Sequence, residues 1–548
     1  MHNALSDYDK SAARLVAARK NRVIPDDQPS LEDRANEEIE HDENSKFTKT
    51  RRTRHSQHST GGKSSQGNVD SSRMGQNEMA TAVTHSLRKS LGFDAKSCGW
   101  YGRTVNIWQP IPETRARTAA EKAIEKLKPA FAAGYLSGVL KFLESRLSLP
   151  KWESDRSLLP MLNGVLNLAT GELIDYGARV FNWQVPHAHD AAATCPTVTR
   201  WLHTVTNGDD DLKTFLMAWM RVVLTGGAHL HKYVEIVGPG GTGKSTFIRL
   251  CQLLVGNANS VSTDLKTLEA SRFESAGLYG KRLAIVSDSA RYGGEVATLK
   301  AITGGDPLRF EQKNIQAGES FVFAGVVMIA ANEPIQSADY TSGLARRRIP
   351  IFFNKKVSEE EKLAAPDFES RLTAEIPGLL NLLLAIKPDE ADNTIRYPGP
   401  SLARSKLAAE LETNPLLAWM HERLIQCQPG QETAVGTLKT SGLYADYAAY
   451  CDEHGREPVS TTRFSRLVVD NATSRGISTD KTRVSGSGER VLKRLRLRQA
   501  SDPANPLFSV TGSNSSVTAC ALDSAECDNC EGFSTTSDLV CATVEDEV

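Results

Sequence analysis

No stretch of this chain approaches the roughly 20 consecutive apolar residues that crossing a bilayer requires. The longest apolar run, residues 321–331, is interrupted by Gly325 and reads as a buried strand. The opening residues, MHNALSDYDKSAARL, lack an apolar signal core, so a cytoplasmic protein is expected and no membrane partner. Cysteine is sparse. Five of the nine (Cys98, Cys195, Cys251, Cys427 and Cys451) are scattered through the part expected to fold, which suits a reducing compartment better than a disulfide framework. Cys527 and Cys530 form a CxxC with Cys520 and Cys541 nearby, but no second CxxC or His pair follows at ligand spacing, so no zinc site is expected. Internal repeats are also lacking.

Charge is unevenly placed behind a formal net of −1. Residues 1–78 are polar and poor in aromatics, with an acidic block followed by a basic one, and they cannot bury enough apolar surface to offset chain entropy. Residues 501–548 contain no Lys or Arg and nine Asp or Glu. Both ends are expected to be disordered tails, 1–78 and 499–548.

Between them, Trp100, Tyr101, Val105, Ile107 and Trp108 suggest short strands, and residues 119–147 have helical periodicity broken near Pro129. NGVLNLATGEL (163–173) alternates about a Thr-Gly turn, as a hairpin does. Residues 230–355 alternate apolar strands with helical stretches, the pattern of a parallel sheet covered on both faces.

GPGGTGKS (Gly238, Pro239, Gly240, Gly241, Thr242, Gly243, Lys244, Ser245) follows a short apolar run and precedes a helical one. It fits G-x-x-x-x-G-K-[ST] in a strand–loop–helix context. Glycines let backbone N–H groups turn toward phosphate oxygens, and a helix start adds a positive dipole end. Lys244 would meet the outer phosphates of ATP and the Ser245 hydroxyl would ligate Mg²⁺. RLAIVSD ends an apolar strand in Asp288, where a second Mg²⁺-directing acid belongs, and residues 322–331 end in Asn332, an amide able to orient water without adding negative charge. LARRRIPIFF sets Arg346, Arg347 and Arg348 before another strand. Two readings stand for them: surface salt bridges, or an arginine finger reaching a neighbouring subunit's nucleotide from Arg346 or Arg347. Between the acid and amide strands, strand-like pieces at 308–311 and 319–323 flank a polar tip with Lys313. That lysine is either a contact to single-stranded DNA or a solvated loop residue.

Further on, Leu443, Tyr447 and Tyr450 recur at helical spacing, Ser460 can cap a following helix, and Phe464, Leu467 and Val468 would face a core with Arg463 and Arg466 outward. VLKRLRLR (491–498) alternates, placing Arg494, Arg496 and Arg498 on one strand face, either a DNA-contacting wing or a charged edge strand.

The order GPGGTGKST, KRLAIVSDS, LKAITGGDPLRFEQK, VMIAANEP, LARRRIPIFF resembles the superfamily 3 helicases of the phage and plasmid primase–helicase type, across roughly residues 85–498. The resemblance implies an α/β fold: an AAA+-like P-loop core at 206–375, an α+β pre-helicase region at 79–205 and a winged-helix-like unit at 400–498. It implies a hexameric ring, 3′-to-5′ movement on single-stranded DNA, and roles for Lys244, Ser245, Asp288, Asn332, Lys313 and Arg346 or Arg347 as assigned above. Many relatives carry a Glu or paired carboxylates at the acid strand, whereas Asp288 is followed here by Ser289, leaving the general base open. Residues 1–78 are too short and polar for a primase, so a separate primase partner is expected. A packaging ATPase, and a DNA-binding replication regulator with a degenerate nucleotide site, stand as the alternative functions.

Overall fold

The structure, a computed structural model, describes residues 73–287, 292–311, 319–337, 339–357, 367–437, 441–502, 507–510 and 517–519. Asp288, Lys313, the four C-terminal cysteines and most of both expected tails lie outside these residues.

Helix α1 (Gln76–Leu87) buries Met79, Ala80, Val83 and Leu87 along one face. It packs with α2 (Glu113–Glu125) and α3 (Ala133–Arg146), which bury Ala116, Ala120, Ile124 and Leu136, Val139, Leu140, Leu143 at the spacing of one helical stripe. An antiparallel sheet of β1 (Leu91–Asp94), β2 (Gly99–Arg103) and β3 (Trp108–Ile111) lies beside them. Val105, expected in a strand, is 92% exposed in the turn between β2 and β3. The meander of β4 (Leu158–Met161), β5 (Gly164–Asn167) and β6 (Leu173–Ile174) contains the expected hairpin, with Gly171 at φ 74° in its turn.

Next come α4 (Pro196–Thr206) and α5 (Asp210–Thr225), then the strands β7 (Tyr233–Val237), β8 (Ser260–Thr263), β9 (Leu283–Val286), β10 (Val326–Ala331) and β11 (Arg348–Phe352). The five form one parallel sheet in the order β11-β7-β10-β9-β8. Between them run α6 (Lys244–Val255), α7 (Leu265–Ala270), α8 (Ala297–Gly304) and the single turn α9 (Ser342–Ala345). Burial on both faces accounts for the near-continuous apolar character of β7, β9 and β10, whereas β8, at the edge of the sheet, is polar and only partly buried. The run 321–331 is not one strand. Phe321 pairs with Leu308 in an isolated antiparallel bridge, Val322 is half exposed, and β10 starts only after Gly325. Gly325 is there because a Cβ would meet the Arg282 carbonyl oxygen at 2.4 Å. The two strand-like pieces expected around Lys313 therefore reduce, among the described residues, to that single bridge.

One apolar core joins Leu159, Trp183 and Trp201 to α5, the sheet and Leu402. The expected division near residue 205 consequently falls inside a core, because α4 packs on α5 and beside the loop after β7. Helices α10 (Phe368–Ala374), α11 (Ile376–Leu384), α12 (Pro388–Arg396) and α13 (Pro400–Thr413) close this body.

A second core gathers α14 (Pro415–Arg423), β12 (Leu424–Gln426), α15 (Leu443–Glu453) and α16 (Thr461–Thr473) around Trp419, Tyr447 and Phe464. Ser460 sits at the capping position of α16, but its side chain makes no cap hydrogen bond. A hairpin of β13 (Lys481–Arg483) and β14 (Arg490–Leu492) follows, and β15 (Leu495–Leu497) pairs with β12. The segment 491–498 is thus broken, not one alternating strand: Arg494 turns the chain at φ 61° and separates β14 from β15. The folded part also runs past 498. Leu507 and Phe508 are buried in the second core, and β16 (Phe508–Val510) pairs with β17 (Val517–Ala519). No helix among the described residues is long and apolar enough to cross a membrane.

Candidate active site

β7 is buried along its whole length and delivers the loop 238–243 to the carboxyl edge of the sheet. Gly238 has φ 152°, and a Cβ there would lie 2.2 Å from the Phe353 carbonyl oxygen, so glycine is required where the loop passes β11. Gly241 (φ 80°) and Gly243 (φ 95°) take left-handed conformations that turn the backbone around an open centre. The Thr242 hydroxyl donates to the Pro239 carbonyl at 2.9 Å and pins the loop. Lys244 then opens α6.

The Lys244 ammonium donates to the carbonyls of Gly238 and Pro239 and, at 3.3 Å, to Oδ1 of Asn332. Partial burial lowers its pKa from the usual lysine value. Asn332 follows the last residue of β10, whose Ala331 is in register with Val237 of β7. Two residues 88 positions apart therefore meet on one point because parallel pairing aligns the ends of their strands. Ser245 lies in the first turn of α6, and with Ser287, the residue after β9, it lines a cavity of about 360 Å³ that also reaches Asn332. Asp288, next in sequence, is outside the described residues.

On its other side the loop opens into a cavity of about 740 Å³. Its wall comes from α4 (Arg200, Trp201, Thr204) and α10 (Phe368, Arg371). Both helices are fixed where they meet: the Glu375 carboxylate accepts from the N–H groups of Thr197 (2.7 Å) and Val198 (3.1 Å), and Arg249 of α6 pairs with Glu369. These wall residues escaped the sequence reading. Only the tertiary packing of segments more than a hundred residues apart brings Trp201 beside Phe368. The donor set suits a phosphate ester: backbone N–H groups at a helix start, one ammonium and one hydroxyl, with an aromatic and cationic wall for the remainder. Lys244 and the loop would hold the phosphates and Ser245 a Mg²⁺ ion, whose chemistry would be to neutralise phosphate charge. Among the described residues no cluster of three His, Cys, Asp or Glu could hold a metal by itself.

The three arginines before β11 have different surroundings. Arg348 is buried and paired with the fully buried Glu235 of β7, with a further bond to Thr413 Oγ1 at 3.1 Å. A salt bridge thus claims one member of the cluster. Arg347 is half-buried and donates to the Gly343 carbonyl at 2.7 Å, whereas Arg346 is exposed. Arg348 is in register with Tyr233, the first residue of β7, while the loop leaves after Val237. Arg346 and Arg347 therefore stand at the opposite edge of the sheet, roughly 15–20 Å of strand from their own chain's loop.

The residues expected to meet DNA do not form one surface. Lys313 is outside the described residues. Arg463, Arg466 and Asp470 share a face of α16, and Asp470 is bound to Ser342, so that face turns partly toward α9. Arg496 is engaged by both oxygens of Asp502 at 2.6 Å, which raises its pKa and pulls Asp502 down to about 2. Arg498 donates to the Glu422 carbonyl at 3.2 Å. Arg466 and Arg494 remain exposed, and so do Lys481, Arg483, Arg490 and Lys493 of the β13–β14 hairpin, which the sequence reading missed.

Residues 80–207 match a family described as D5 N terminal like, and residues 236–348 match a family of unknown function (DUF5906). Among curated proteins, the uncharacterized mitochondrial protein ymf21 of Marchantia polymorpha is 39% identical over 71 residues, 13% of this chain and 39% of that protein. The uncharacterized mitochondrial protein ymf20 of the same organism is 29% identical over 135 residues, 23% of this chain and 81% of that protein. Among solved structures, an apo form of the NrS-1 C-terminal region is 14% identical, with a TM-score of 0.42, over 75% of this chain and 99% of that one. A second apo structure of that region (305–718) gives 13% identity and the same TM-score over 78% and 99%.

Proposed function

We propose that this protein is an ATP-driven DNA helicase of the superfamily 3 type, working as a ring on single-stranded DNA in the replication of a phage, plasmid or integrated element. The approach of Lys244 to Asn332 carries the nucleotide reading. It joins a phosphate-binding ammonium to an uncharged amide at the edge of a parallel sheet, as γ-phosphate chemistry needs. Ser245 and Asp288 would hold Mg²⁺, and Asn332 would orient the attacking water. The base and ribose would lie against Trp201 and Phe368.

The ring reading draws support from the arginines. Arg346 and Arg347 cannot reach their own loop, so any charge they supply to a transition state goes to a neighbour's nucleotide. A repeated head-to-tail interface of that kind closes into a ring where its rotation divides the full turn, as with the six subunits of the resembled family. Lys313 would meet the threaded strand, and the β13–β14 hairpin with Arg466 and Arg494 would meet backbone phosphates as the wing of a winged-helix-like unit. A separate primase would supply primers, and the cytoplasm would be the site of action.

The test is ATP hydrolysis by the purified protein with and without single-stranded DNA. Hydrolysis that rises with DNA and disappears in Lys244→Ala is the expected result. Undiminished turnover in that variant removes the nucleotide reading.

A further inference from the structure

The turn that carries Arg346 and Arg347 is gripped by a helix far away in sequence. Ser342, the first residue of α9, donates its backbone N–H to Asp470 Oδ2 at 2.8 Å and its hydroxyl to Asp470 Oδ1 at 2.9 Å, across 128 positions. Both carboxylate oxygens of Asp470 thus engage a single residue. The next residue of α16, Asn471, is 1% exposed and donates to the Tyr340 carbonyl at 2.9 Å. Arg456, past the end of α15, donates to Gln336 Oε1 at 2.9 Å in the same stretch. From the other end, Lys232 donates to the Arg346 carbonyl. Below the turn, Arg475 pairs with Glu410 of α13 at 2.5 Å, and Arg348 bonds Thr413 of the same helix. The arginine-bearing turn is therefore held between the sheet and the C-terminal unit.

A finger contributes only where its guanidinium meets developing charge, and an error near one ångström removes most of its effect. Charge-assisted hydrogen bonds to a carboxylate are stronger and more directional than neutral ones, which suits Asp470 to fix a short turn. We infer that Asp470 is a positioning residue for the arginine finger: α16 sets where Arg346 and Arg347 stand, and the C-terminal unit thereby governs hydrolysis at the neighbouring subunit's nucleotide. The inference rests on the trans-finger reading given above.

In the full-length protein, Asp470→Ala leaves nucleotide affinity unchanged, because the loop at 238–245 is untouched, and lowers kcat roughly 10- to 100-fold. Asp470→Asn keeps one acceptor oxygen for the Ser342 N–H and recovers part of the loss. Mixed with Lys244→Ala subunits, Asp470→Ala regains hydrolysis, since its intact loop then meets a well-placed finger; a subunit that merely failed to fold would regain nothing. A folded Asp470→Ala protein with wild-type kcat overturns the inference. So does failure to recover on mixing while Arg346→Ala or Arg347→Ala recovers under the same conditions. If both arginine variants hydrolyse ATP normally when unmixed, the finger reading itself has failed and this inference falls with it.

Discussion

Lys232 stands one residue before β7 and donates to the Arg346 carbonyl. Burial, with the positive charges of Lys406, Arg346, Arg347 and Arg396, pushes its pKa down to about 8 from a usual 10.5. Below about pH 8 the folded state carries this charge at a cost that the unfolded chain does not bear. Between about 8 and 10.5 the unfolded chain still holds the proton that the folded one has shed, so this lysine's contribution to stability improves as pH rises. Lys232→Met abolishes that pH-dependent part. Denaturant midpoints of the two proteins at about pH 7.5 and about pH 9.5 check this, with wild type gaining on the variant at the higher pH. An equal difference at both values would show that the ammonium is not held among cations. Individual residues were legible where a motif names them, as with Lys244 and Asn332, whose meeting follows from strand ends in register. Trp201, Phe368 and Lys232 carry no local signal, because their significance arises from packing. Glu235 did carry one: a carboxylate inside an apolar strand must find a buried partner, and Arg348 is it.

Among the elements, the β13–β14 hairpin sets Arg483 directly opposite Arg490, with Lys481 on the same ribbon. Like charges facing across two strands are destabilising unless a polyanion neutralises them. The ribbon is therefore expected to carry phosphate contacts, and Arg496, already neutralised by Asp502, is not. In titrations with labelled DNA at several salt concentrations, Arg483→Ala and Arg490→Ala each reduce the slope of log affinity against log salt by about 1, and Arg496→Ala leaves it unchanged. The opposite ordering would return the wing to residues 494–498. Sequence alternation across 491–498 misled because two short strands of different sheets read as one when a single left-handed residue, Arg494, separates them. Periodicity shows strand character, but which strand pairs with which is decided by turns and long-range partners. The same limit explains the run 321–331, where Gly325 ends one piece and admits the next. By contrast the helices α2, α3, α15 and α16 followed their apolar spacing closely, since a helix closes its own hydrogen bonds and needs only one face covered.

At the scale of the whole molecule, the sheet holds apart the two proposed parts of the catalytic site. The loop and Asn332 stand at its carboxyl edge, and Arg346 and Arg347 at the other, so on the trans-finger proposal a lone chain would be incomplete as a catalyst and two adjacent chains would not. Arg346 is exposed and Arg347 is engaged with Gly343, so Arg346→Ala is expected to cost more. Both variants should bind ATP nearly as wild type, and Arg346→Ala should lose about 10³-fold in hydrolysis. Mixing then separates a trans finger from a local one. In a one-to-one mixture of Arg346→Ala and Lys244→Ala that assembles at random, about a quarter of the head-to-tail interfaces pair an intact loop with an intact finger. Activity should return to no more than that share, where neither parent works alone. If subunits must fire in sequence around the ring, the recovery falls further below a quarter, and its dependence on mixing ratio reports that coupling. A mixture that stays inactive while sizing shows mixed assemblies leaves the trans-finger assignment without support, and a recovery above that share would mean that the two residues do not act on one nucleotide.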